Sequence, residues 1–183
     1  MKKIISVAAA VLCIGLLFCG CQTKNSAVSE KEVKNRVIYN KVTNAAQKDF
    51  FNYAFAEGSE EKATILSENE KDAKKDIETD LKICSDCKDK KILISKSDAK
   101  KSAKKEFKNL KSDSSQKEYY DFLSKAIKEN GLSESEFIDI TCENAYYFYN
   151  RAALKSYFQS NLYDSDSNLS LDEQFENYTD NLK

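Results

Sequence analysis

The sequence predicts an all-α fold, a single domain of about six helices, and three observations lead there. The 183 residues contain no proline and only four glycines, so the usual interruptions of a helix are scarce. The chain is rich in Lys, Glu, Ala and Leu, which lose little side-chain freedom in a helix. Apolar residues also recur at three- and four-residue spacing, several times behind a Ser-x-x-acid sequence, the pattern of an amphipathic helix behind its cap.

The elements follow in order. Ser29 with Glu32 has capping-box spacing, and Ile38, Val42, Ala46, Phe50 and Ala54 then recur every four residues. The β-branched stretch 36–39 leaves an extended beginning open, and Gly58 is expected to end the helix. A second helix places Leu66, Ala73, Ile77 and Leu81 on one face. Residues 84–94 break that pattern and are expected to form a loop, with Ile92, Leu93 and Ile94 extended. Ser95, with Asp98 at the box position, caps a third helix whose stripe is Ala99, Ala103, Phe107 and Leu110; its other faces are lysine-rich. Ser115 with Glu118 starts a fourth, carrying Tyr119, Phe122, Leu123, Ala126 and Ile127. Gly131 closes it in left-handed fashion and Leu132 adds the customary apolar contact. Ser133 with Glu136 then opens a fifth helix, from about residue 133 to about residue 163 and roughly 45 Å long. The fourth and fifth helices thus form an αα-hairpin. Asp164–Ser170 is a linker, and Ser170 with Glu173 opens a last helix with the stripe Leu171, Phe175, Tyr178 and Leu182.

Ahead of this domain stand Met1-Lys2-Lys3, an apolar run from Ile4 to Phe18, and Phe18-Cys19-Gly20-Cys21. The run is shorter than a membrane span and has the layout of a secretory signal. Its end resembles a bacterial lipobox, with small Gly20 before the acceptor Cys21, although Phe18 stands where the pattern prefers Leu. The resemblance implies a signal peptide over 1–20, a diacylated Cys21 as the new N-terminus, a polar tether over 21–29 and a helical domain over 30–183. Two acyl chains, at about 0.8 kcal/mol per methylene, anchor stably. The expected address is extracytoplasmic, lipid-anchored to the cell membrane.

Composition excludes several functions. Without Lys2 and Lys3 there are 27 basic against 30 acidic residues, net −3 with the signs interspersed, which argues against a nucleic-acid partner. There is no histidine, hence no Ser-His or Cys-His pair and no His-ligated zinc. No Gly-rich phosphate loop is present either, so neither a cofactor nor an enzymatic activity is expected. Cys84 and Cys87 form a C-x-x-C without the strand–helix context of a thioredoxin site. They are candidates for a local disulfide or for unpaired thiols, with thiol redox chemistry as an alternative. Together with Cys142 they are too few for a zinc site. Asp164, Asp166, Asn168, Ser170 and Asp172 alternate like calcium ligands, but Leu169 replaces the required Gly and Phe175 the bidentate Glu, so a capped linker is expected.

Residues 119–163 hold 11 of the 20 aromatic residues. On the fifth helix they surround most of the circumference, more than the stripe of about 100° that burial against one face requires. They either fill a core or line a cleft; Tyr146 and Tyr149, with Phe148 and Tyr157, are the candidates for contact with polypeptide. Phe122, Leu123, Gly131, Leu132, Ser133, Glu136, Phe137, Tyr147 and Leu154 occupy a pattern that resembles the N-terminal chaperone domain of SurA-type periplasmic chaperones and PrsA-type foldase lipoproteins. The resemblance covers roughly residues 65–183. It implies a membrane-anchored, chaperone-like protein that binds unfolded or secreted polypeptides. It does not carry isomerase activity, because the parvulin domain of such foldases would fall where only Asp164–Ser170 stand. A structural or partner-specific envelope lipoprotein is the alternative of another class. The oligomeric state stays open.

Overall fold

A computed structural model describes residues 28–54 and 65–182 of the chain. They form six α-helices and no strand: α1 (Glu30–Ala54), α2 (Glu70–Asp89), α3 (Lys96–Ser112), α4 (Lys117–Glu129), α5 (Glu134–Asn161) and α6 (Leu171–Asp180). The all-α architecture is as the sequence predicts. Gly58, Cys21 and the expected signal segment lie outside the described residues.

The 28-residue α5, about 42 Å long, is the axis on which the other helices assemble. Because it is apolar on most sides, it buries residues against α1, α2 and α3 at once. α3 lies antiparallel to it: Ile94 meets Asn150, Lys100 meets Cys142, and Lys111 meets Glu134. α4 packs antiparallel on α1, with Tyr53 on Glu118 and Lys125 on Asp49. α6 closes the far end, across α2 and α5. Three clusters of buried side chains result. One joins α1, α2, α3 and α5 around Ile77, Ala99 and Tyr146. A second joins α1, α4 and the start of α5 around Val42, Leu123 and Phe137. The third joins α2, the end of α5 and α6 around Ile83, Leu154, Phe158 and Phe175.

The caps explain the boundaries. Ser133–Glu136 and Ser170–Glu173 are reciprocal capping boxes, and Ser95 accepts from the Asp98 amide. Ser29 and Glu32 bond in the same way at the start of α1, which is helical through residues 36–39. The α4 cap differs from expectation. Ser115 is turned back to the Asp113 carboxylate at 2.7 Å, and the helix starts behind Gln116 with no side-chain cap. The 84–94 loop is also corrected, since α2 continues through Cys84 and Cys87 to Asp89. Its end repeats the Gly131 turn without a glycine. Ile92 N–H donates to Cys87 O at 2.9 Å and Lys91 sits at φ 61°; at the end of α4, Leu132 N–H donates to Ile127 O and Gly131 has φ 73°. A lysine in the left-handed region carries no sequence signal.

Leu66 is the other displaced element. It lies ahead of α2, in an extended segment clamped by a buried Asn44 on α1. The Asn44 side chain accepts from Leu66 N–H and donates to Leu66 O, each at 2.8 Å. Asn150 on α5 does the same for Ile94, accepting its N–H at 2.8 Å and donating to its O at 3.1 Å. Each asparagine offers the extended backbone the donor and acceptor of a neighbouring strand. An ion cluster centred on buried Asp80 completes the frame. Asp80 on α2 receives Arg36 of α1 at 2.8 Å and Arg151 of α5 at 2.9 Å, and Arg36 Nε donates to Asn144 at 2.6 Å.

Candidate functional site

The aromatic residues singled out on α5 do not assemble into one cleft. Tyr146 and Tyr149 are 5% and 6% exposed and belong to the central core, so the expectation that they face a groove is corrected. The reason is the number of partners: α1, α2 and α3 wrap three sides of α5, so rings that one neighbour would leave outside are enclosed. Tyr149 faces Glu106 on α3 and Tyr146 faces the Cys84 thiol on α2; burial pushes both phenols well above their usual range. Phe148 is half-buried beneath the Arg36 guanidinium, 4.7 Å from its ring centre. Tyr157, also half-buried, lies farther along, under Lys90.

Cys84 and Cys87 are free, buried thiols on the inner face of α2. Burial pushes each thiol up to about 12. Cys87 Sγ donates to Asn150 O at 3.3 Å. Residues three apart on a helix hold their Cβ atoms about 5–6 Å apart, and a disulfide needs roughly 3.5–4.5 Å. A Cys84–Cys87 bridge therefore requires the last turn of α2 to open. Depressed thiol pKa values mark redox cysteines, and these thiols are shifted the opposite way. Cys142 is also buried, and among the described residues no group of cysteines and carboxylates could hold a metal. The carboxylates of the 164–172 linker do separate work. Asp164 caps its own turn through Asp166 N–H, and Asp172 pairs with Lys155.

An open groove lies instead at the junction of α5 and α6. Its volume is about 500 Å³, with a floor of Phe158, Leu169, Tyr178 and Leu182 and a rim of Ser167, Gln174, Asn177 and Asn181. No charged side chain lines it among the described residues. The linker builds one wall. Gln174 donates to both Asp164 O (2.8 Å) and Leu169 O (2.9 Å), drawing the two ends of the linker together. Tyr178 in the floor is held from behind: its hydroxyl donates to Asp86 at 2.6 Å, and the same carboxylate meets Lys90 at 2.7 Å. Along the linker Leu162, Tyr163 and Leu169 are 46%, 38% and 43% exposed. The described residues have only two other large apolar side chains exposed to this degree, Tyr53 and Ile65, and both flank 55–64.

Sequence reading missed this groove because it lies between elements. Leu171, Phe175, Tyr178 and Leu182 are one helical stripe in the sequence, but only Phe175 is fully buried. The available signal was an apolar trio, Leu162, Tyr163 and Leu169, in a linker otherwise made of Asp, Ser and Asn.

No family model, curated protein or solved structure matches this chain.

Proposed function

We propose that the protein is a lipid-anchored, extracytoplasmic binding module that holds short, uncharged, apolar stretches of unfolded or secreted polypeptide in the α5–α6 groove, without catalysis. The observation that carries this reading is the coincidence of an open, uncharged groove of about 500 Å³, lined by exposed Leu169, with exposed Leu162 and Tyr163 at the other end of the same linker. Exposed apolar side chains gathered in one place mark interaction surfaces, whereas scattered ones do not. The floor offers apolar area, while Asn177 and Asn181 on the rim supply amides for a peptide backbone. Such a site reads hydrophobicity rather than sequence, the property that holding an unfolded chain demands. A non-catalytic reading is supported by the absence of histidine, by the upward shift of the Cys84 and Cys87 thiols and by the pairing of Asp80 with two arginines.

The test is binding of fluorescent peptides to the purified protein. An apolar, uncharged peptide is expected to bind, and the same peptide with aspartates at alternate positions is not. Leu169→Asp, at an exposed position, should abolish binding while far-UV circular dichroism stays unchanged. Equal binding by L169D, or no suppression of client aggregation at molar excess, refutes the groove. Recovery from membranes of one stoichiometric partner in place of many clients assigns the same surface to docking of a single envelope protein.

A further inference from the structure

Charge on this molecule is segregated, contrary to the even mixture its overall balance implies. α3 carries seven lysines against Asp98 and Glu106, net +5, in a chain whose total is −1. α6 carries four acids and no base. Lys101, Lys104, Lys105 and Lys108 repeat at the spacing of one helical face, opposite the buried Ala99, Ala103 and Phe107. All four are exposed. Among the described residues Lys104, Lys105 and Lys108 have no ion-pair partner, and Lys101 has only Asp98 at 3.9 Å. The one other acid of α3, Glu106, is turned to the Tyr149 hydroxyl. A solvated helix face is ordinarily balanced, as on α2, where seven acids accompany five lysines.

Position gives this face a meaning. Val28 packs on the cluster that contains Ala99 and Ala103, and Glu32 feels the charge of Lys96, so the chain enters the fold beside the start of α3. From Cys21 to Val28 there are seven peptide units, a reach of at most about 25 Å. A lipid on Cys21 therefore keeps the domain within that reach of the bilayer, and charge selects the face that meets it. The acidic α6 and the groove lie at the other end of α5, joined through Lys155–Asp172.

We infer that the Lys101–Lys104–Lys105–Lys108 face of α3 lies on an anionic lipid surface and orients the anchored domain, with the α6 groove turned outward. This rests on the lipid-anchor reading. Each lysine near an anionic leaflet contributes on the order of fivefold in binding, and a basic patch beside an acyl anchor adds a second attachment to the membrane. Repulsion of α6 by the same surface acts in the same sense.

The experiment reconstitutes the full lipidated chain into vesicles of phosphatidylcholine alone, or mixed with phosphatidylglycerol, and follows lysine acetylation by mass spectrometry. On mixed vesicles Lys101, Lys104, Lys105 and Lys108 should be protected roughly 10-fold or more over phosphatidylcholine. High salt should remove the protection, and Lys71 and Lys75 of α2 should label alike on both. Lys104→Gln with Lys108→Gln should expose the remaining two. Equal labelling on both vesicles while the protein stays bound overturns the proposal and leaves the anchor standing. Loss from phosphatidylcholine vesicles with salt-sensitive binding to mixed ones overturns the anchor and retains the face. Protection by duplex DNA but not by phosphatidylglycerol overturns the lipid assignment.

Discussion

Asn150 is the residue whose replacement most directly tests how this fold is held. Its side chain is fully buried and makes three hydrogen bonds: it accepts from Ile94 N–H at 2.8 Å and donates to Ile94 O at 3.1 Å and to Tyr146 O at 2.7 Å. Asn150→Asp keeps the shape and the acceptor but turns a carboxylate oxygen toward two carbonyl oxygens. Leaving a buried polar group unpaired costs about 1–3 kcal/mol, and the unpaired charge adds to that. A loss of about 3–5 kcal/mol is expected at pH 7, a large part of the roughly 5–15 kcal/mol that stabilises a domain. The new carboxyl is buried against carbonyls, so its folded pKa rises above the ordinary value of about 3.9. The folded variant thus keeps a proton that the unfolded chain has lost. The penalty is full above the raised folded pKa and is relieved as pH falls toward the unfolded value. Asn150→Ala, which removes all three bonds and adds no charge, should lose about 2–3 kcal/mol with no such pH dependence. Urea unfolding followed by circular dichroism measures both. Hydrogen exchange of the Ile94 amide separates them, because the aspartate variant retains the acceptor for that N–H and the alanine variant does not. A loss under about 1 kcal/mol for Asn150→Asp at pH 7, with the same denaturant slope, refutes the clamp.

Three further outcomes are expected. Lys91→Gly should stabilise the protein by about 0.5–1 kcal/mol, since φ 61° suits glycine; Gly131→Ala, which meets no neighbouring atom, should cost a similar amount from φ 73° alone, and paired urea titrations check both signs. Alkylation at pH 8, read by mass spectrometry, should be about 1,000-fold slower at Cys84 and Cys87 in the folded protein than in urea, because burial holds both thiols at about 12; equal rates would revive thiol redox chemistry. Hydrogen bonds from Ser133 and Ser170 lower the Glu136 and Glu173 carboxyls, so the contribution of these caps is complete above about pH 4.3 and is lost as pH falls through the depressed folded values. Glu136→Gln should flatten the acid limb of a stability–pH curve, and an unchanged limb would show that the α5 box contributes nothing.

The sequence by itself determined the local events. Ser95, Ser133 and Ser170 cap their helices and Gly131 turns the hairpin as expected, because a cap or a left-handed glycine is decided by atoms within a few residues of one another. It also determined the all-α class, through the scarcity of breakers. Only the tertiary structure decided which faces are covered. Tyr146 and Tyr149 are enclosed because α1, α2 and α3 converge on α5, and nothing in the α5 sequence counts its neighbours. Cys84 and Cys87 stay in α2 because their buried face meets α5 and Lys91 accepts a strained turn. Asn44 and Asn150 look like ordinary polar residues in the sequence, yet their worth lies in backbone groups 22 and 56 residues away. The groove of Phe158, Leu169, Tyr178 and Leu182 and the separation of α3 charge from α6 charge have the same origin. Side-chain periodicity is a property of one helix, whereas burial and field are properties of how helices meet.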